Sequence, residues 1–433
     1  MKNHNRQYTD PALVERFSIT DRTGAISSVS RRLREMAIAA RLFLLTLFWI
    51  VAGALCAGAA LADEHERDSG AVKLLTTIPI PGDPMIIFDI SWVDPHTQLY
   101  YLADRTNATV DVIDAKRNQF VKQIQGGFKG FTGSNATSGP DGVVVNGNWL
   151  FVTDAPSRVV SIDLRTDQVV GEISTGGGAD PQTNLGFRAD ELAYDPEDGI
   201  LLVVNNADTP PFATLIKAQN GHLTILKKIL LSTATNGAEQ PVWDRATRKF
   251  YLSIPEVNGN GGTGPDGAIA RINPHTGVVE QMFPVKFCQP AGLALGPKQD
   301  LLVGCSVVFD TAGEAWSAAD KNSASPISII MDARTGSIDK TVKGVSGNDE
   351  VWFNPGDRRY YLAARSDPVG PVLGVIDAES QTLIQLVPTF NKAPGTAHSV
   401  AVNPHNNHAF VPLPANNAFP NCLNGCVAVF GTP

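Results

Sequence analysis

The stretch Val143–Gly177, VVVNGNWLFVTDAPSRVVSIDLRTDQVVGEISTGG, decides the fold of this chain. Val143–Val145 is apolar and runs into the turn Asn146-Gly147-Asn148. Trp149–Asp154 alternates and stops at Ala155-Pro156-Ser157. Val159–Asp163 forms a third run, Arg165-Thr166-Asp167 a third turn, and Val169–Ile173 a fourth run that ends at Gly176-Gly177. Four short runs rich in Val, Ile and Thr, separated by turn residues, read as a four-stranded antiparallel meander.

The same phrase returns every ~40–50 residues, the period of propeller blades. The copies are Phe88–Gly127, Asp141–Gly177, Ala189–Leu231, Gln240–Val285, Pro290–Lys343, Asp349–Val387 and His398–Phe430. The last copy holds only three strands. The missing type stands at Val72–Gly82, VKLLTTIPIPG, which matches the run that closes the other copies. The expectation is therefore an all-β, seven-bladed β-propeller over residues 71–433, its last blade completed by the N-terminal strand. Such closure removes exposed sheet edges. Leu150–Gly177 and Tyr100–Ile124, YYLADRTNATVDVIDAKRNQFVKQI, resemble the YVTN-repeat β-propellers. The resemblance covers about 360 residues by the repeat period. It implies the fold and, because propellers host unrelated activities, leaves function to the site.

Residues 1–62 differ in kind. A polar segment containing Arg31, Arg32, Arg34 and Arg41 precedes Leu42–Ala62, LFLLTLFWIVAGALCAGAALA, which carries no charge and ends in Ala60-Leu61-Ala62. This reads as a secretory signal with a long n-region. The other reading is a retained anchor, since about 20 apolar residues span a bilayer. Either places the body in the periplasm or outside the cell, with membrane contact only if the segment is retained. The whole chain carries a net charge of −8; residues 1–62 hold eight basic and four acidic residues, so the remainder carries −12. An acidic body excludes non-specific nucleic-acid binding. Four cysteines follow the leader: Cys288, Cys305, Cys422 and Cys426. An even number in an exported chain reads as disulfides, with Cys288–Cys305 and Cys422–Cys426 the expected pairs. A zinc site is the alternative, but no histidines stand at suitable spacing.

The blades can be aligned on the residue that begins the first turn: Asp94, Asn146, Asp195, Asp244, Gly296, Asn354 and Asn403. Five residues earlier stand Asp89, Asp141, Asp190, Glu239, Ala291, Asp349 and His398. Six of these seven are ionisable, where an 18% charged chain would give about one by chance. The first strand of each blade lines the channel, so these side chains should meet at one mouth. Crowded carboxylates repel unless a cation is present. Asp89, Asp141, Asp190, Glu239, Asp349 and His398 are therefore candidate ligands for a divalent cation, Ca²⁺ or Mg²⁺. The next row holds Ile90, Gly142, Glu191, Gln240, Gly292, Glu350 and Ser399. Glu191 is a supporting acid there, and the glycines are expected to make room for a ligand.

The long loops Gly126–Pro140, Gly176–Arg188, Pro255–Asp266 and Ser306–Pro326 lie on the same face. On them and beside them, Arg188, Arg365, Trp316 and Phe131 are candidates to hold an anionic or aromatic ligand. Gly259–Gly264 spells G-x-G-x-x-G but follows no βα unit, so it reads as a loop tip and not as a dinucleotide site. Two functions stay open. One is a monomeric binding or scaffold protein that holds a small molecule or an envelope protein. The other is a metal-dependent, lactonase-like hydrolase with Glu350 or His398 as base. A quinoprotein or electron-transfer role lacks a C-x-x-C-H motif.

Overall fold

The computed structural model describes residues 70–176, 186–317, 324–390 and 397–433. The leader, and parts of the loops ending at Arg188 and Pro326, lie outside the described residues. From Asp68 onward the chain forms one compact unit. It contains seven four-stranded antiparallel sheets. Blade 1 runs Ser91–Asp94, Leu99–Asp104, Thr109–Asp114 and Gln119–Gln125 from the axis outward. In blade 7 the strands Ala401–Asn403, His408–Leu413 and Cys426–Gly431 are joined by Lys73–Pro79, which pairs antiparallel with Cys426–Gly431. The seven-bladed propeller closed by its N-terminal strand is thus the observed fold.

The turn that follows each inner strand explains the register. The side chains of Asp94, Asp195 and Asp244 accept hydrogen bonds from backbone N–H groups two and three residues on. Asn354 and Asn403 accept from two residues on. A short polar side chain that caps its own turn is the reason Asp and Asn recur there.

The core is split into seven apolar clusters. One joins blades 7 and 1 through Tyr100, Ile113, Phe410 and Val427; another joins blades 1 and 2 through Tyr101, Val112, Leu150 and Val160. Each fully buried aromatic or aliphatic side chain contributes roughly 1.5–3 kcal/mol. Alternation along the second and third strands of a blade is what feeds two neighbouring clusters at once.

Both expected disulfides are present. Cys288–Cys305 ties the two inner strands of blade 5 at a Cα separation of 5.2 Å, and Cys422–Cys426 closes a small loop before the last strand. The paired sulfurs replace the zinc alternative.

The loop containing Gly259–Gly264 is not a loose tip. It wraps the buried carboxylate of Glu256, which accepts from the N–H groups of Gly261 (2.8 Å), Gly262 (2.9 Å) and Gly264 (2.5 Å) and from Thr235 Oγ1 (2.6 Å). Burial opposes the charge, but Thr235 and these amides lower the carboxyl to about pKa 2. The glycine-rich run thus serves an anion that the chain itself supplies.

Replacing Glu256 with Ala should lower stability by about 2 kcal/mol in urea unfolding, because three amides lose their acceptor. The contribution is full above the free-glutamate value near pH 4.5 and is lost as pH falls toward about 2. Equal stability of variant and wild type at pH 7 would contradict this account.

Candidate functional site at the channel mouth

One backbone hydrogen bond recurs at every acidic position of the ring. Asp89 N donates to Ala103 O (2.8 Å), Asp141 N to Thr153 O (2.9 Å), and Asp190 N to Val204 O (2.7 Å). Glu239 N donates to Ser253 O (3.0 Å) and Asp349 N to Ala363 O (3.2 Å). Each acceptor is the penultimate residue of the second strand of the same blade. The bond fixes each acid at an equivalent height, and circular symmetry brings the side chains together.

Asp89, Asp190, Glu239, Asp349 and His398 line one cavity of about 120 Å³, with Glu191 and Glu350 at its base. Asp141 sits behind its wall. Carboxylate oxygens of Asp89, Asp141 and Asp190 lie within 4.8 Å of one another, and all three residues are buried. Ala291 leaves blade 5 without a charge in this row.

The sequence reading missed the main counter-charge. Arg105, 1% exposed, is bonded to both Asp89 and Asp141, the latter through Nε at 2.9 Å. Arg188 Nη2 lies 2.7 Å from Asp190 Oδ2, with Nη1 3.6 Å from Asp89 and 3.9 Å from Asp141. Arg365 Nη1 is 3.1 Å from Asp349 Oδ2. A signal was available. Arg105, Asn206 and Arg365 are each the first residue after a second strand, and all three line the cavity. Asn135, from the loop Gly126–Pro140, lines it as well.

Charge compensation is uneven around the ring. Burial pushes Asp89 up, but Arg105, a bond from His398 and Arg188 together hold it well below the usual carboxylate range. His398 Nε2 is 3.1 Å from Asp89 Oδ1, and its ring stacks on Phe88 at 5.0 Å. Burial raises Asp141 despite both arginines. Asp190 rises to about 6 through burial, opposed by Arg188. On the other side of the cavity, burial and then Asp190 and Asp349 lift Glu239 to about 8. The Glu239 carboxyl makes no hydrogen bond among the described residues. Burial, joined by the charge of Glu350 at Glu191 and of Asp349 at Glu350, pushes both well above the ordinary glutamate value.

Gln240 braces Glu350 from behind the base of the cavity. Its Nε2 donates to Glu350 Oε2 (2.8 Å), and its Oε1 accepts from Leu293 N (2.6 Å) and Val351 N (3.2 Å). Two expectations need correction. Gly142 and Gly292 do not open space for a ligand. A Cβ on Gly142 would meet Leu192 Cδ2 at 2.4 Å and Asp190 O at 2.6 Å, and one on Gly292 would meet Asp349 O at 2.5 Å. These glycines let the next blade's backbone approach. Phe131 and Trp316 do not line the cavity. Trp316 packs instead on the apolar cluster that holds Cys288 and Cys305, and its backbone N–H donates to Val308 O.

Glu239→Gln tests the strained half of the ring. A folded pKa of about 8 against 4.5 for the free group means that stability falls as pH rises between those values. In chelator, the variant should match wild type at pH 5. At pH 9 it should exceed wild type by ~1–3 kcal/mol, a range reduced for water in the cavity. Thermal unfolding at both pH values reads the difference, and parallel curves would count against a strained Glu239.

The chain matches no protein-family description and no curated protein. Among solved structures it is similar to the hydrazine synthase of Kuenenia stuttgartiensis, at 13% identity and a TM-score of 0.60, covering 81% of this chain and 96% of that one. A likeness at that identity concerns the fold alone.

Proposed function

We propose that this protein is an exported, metal-dependent hydrolase of the lactonase-like kind, acting on a small molecule at the acidic channel mouth. The carrying observation is the buried Asp89–Asp141–Asp190 cluster, in which Asp141 Oδ2 has no hydrogen-bond partner. Three carboxylates against the guanidiniums of Arg105 and Arg188 leave a residual negative charge, and an all-oxygen donor set suits Ca²⁺ or Mg²⁺. Asp89, Asp141 and Asp190 would hold the ion, which when bound polarises a carbonyl oxygen.

The remaining work falls to the chain's own groups. Arg188 and Arg365 attract and orient an oxygen-rich head group in a cavity that excludes all but a small moiety. Glu239, Glu350 and His398 are the groups able to accept a proton from water. Glu239 is the best placed, because its carboxyl is not tied by hydrogen bonds among the described residues and burial lifts it to about 8. Glu350 is held by Gln240, and His398 by Asp89. Export is supported by the leader and by two disulfides, which persist in oxidising compartments. Kinship with the YVTN-repeat propellers rests on the Leu150–Gly177 phrase.

A second reading, a non-catalytic binding protein, draws on Arg105, whose guanidinium already bridges Asp89 and Asp141. Metal analysis after mild purification separates the two. The hydrolase reading expects one divalent ion per chain and a drop in Tm of about 5 °C or more on chelation, reversed by Ca²⁺ or Mg²⁺. It also expects loss of ion retention and of lactone hydrolysis in Asp141→Asn. A metal-free protein whose melting ignores chelator leaves only the binding reading.

A further inference from the structure

A second chamber of about 430 Å³ opens at the opposite end of the channel. Four blades give it an aromatic wall: Trp92 from blade 1, Tyr194 from blade 3, Trp243 from blade 4 and Trp352 from blade 6. Trp92 and Trp352 meet edge to face at 5.0 Å between centroids. Trp243 Nε1 donates to Glu197 Oε2 at 3.0 Å, and Tyr194 Oη accepts from Asn146 Nδ2 at 3.1 Å, so two of the rings are held in orientation. At the inner end the wall gives way to Glu191 and Glu350, the carboxyls that also form the base of the small cavity.

We propose that this aromatic chamber is a binding site for an organic cation, a quaternary ammonium or amine carried on an apolar body. Aromatic faces carry negative potential and attract such head groups most strongly where water is excluded. The carboxyl oxygens of Glu191 and Glu350 carry negative partial charge in either protonation state and extend that potential inward. The two chambers differ in their cations: Arg105, Arg188 and Arg365 stand among the acids of the small cavity, whereas no Lys or Arg lines the large one. The volume admits a drug-sized molecule. A neutral apolar ligand would fit the walls but would desolvate the two acids without compensation. The inference is independent of metal binding at the other mouth.

The test is titration of the full-chain protein with benzyltrimethylammonium and with choline, at fixed ionic strength, by calorimetry and tryptophan fluorescence. The neutral isostere of choline, 3,3-dimethylbutan-1-ol, is the comparator. The expected result is one site per chain with a Kd on the order of 1 mM or tighter for benzyltrimethylammonium, and binding of the neutral alcohol about tenfold weaker than choline. Trp243→Leu and Glu350→Gln should each weaken binding about tenfold or more, while Asp349→Asn, which lines only the small cavity, and chelator should change it less than about twofold. Trp352→Leu substitutes for either variant that fails to fold. No saturation below about 20 mM, equal affinity for choline and its neutral isostere, or sensitivity to Asp349→Asn but not to Trp243→Leu overturns the proposal.

Discussion

The bond from each acidic ring residue's N–H to the penultimate carbonyl of the neighbouring strand is the constraint on which this site depends. It is a backbone bond, so it does not require any particular side chain. It holds Asp89 and Asp349 at the same height although hundreds of residues separate them. Once seven blades stand around an axis, whatever occupies that position is driven toward the centre. Acids at five of the seven positions then become neighbours by geometry alone.

That convergence creates an electrostatic demand, and the protein meets it unevenly. Blades 1 to 3 receive two buried guanidiniums. Isolated burial of either charge type is costly, and paired burial is tolerated when hydrogen bonds are complete. On the side of blades 3 to 6, burial and neighbouring acids outweigh Arg188 and Arg365 at Glu239, Glu350 is bonded by a neutral glutamine, and Glu191, Glu239 and Glu350 hold their protons more tightly as a result. Buried carboxyls raised on both sides of an arginine-bridged pair make an arrangement suited to chemistry and poorly suited to stability. The Gln240 amide contributes differently: it links blades 4, 5 and 6 where a further carboxyl would repel.

Most of the fold was legible because its signals are local and repeated. Asp94, Asp195 and Asp244 announce the same capped turn, so the alignment needed no long-range knowledge. Counting back from those turns located Asp89, Asp141, Asp190, Glu239, Asp349 and His398, because a β-strand fixes spacing along its length. Arg105 escaped because it belongs to a different row, the residue after the second strand, where Ala155 and Pro255 carry no charge. Trp316 and Phe131 misled because loop position says little about side-chain direction. The glycines were read as space, yet the void they leave is filled by backbone from the next blade.

Ring closure has a further consequence, for the order of folding. Lys73, in the first described strand, pairs with Gly431 in the last one. Contacts of such separation form late, since the loop entropy must be spent before they give any return. Until then blade 7 has three strands, and the wholly buried run Cys426–Gly431 is an unpaired edge. That edge is therefore exposed only at the end of assembly, and the latch that covers it is the segment that had been waiting from the start.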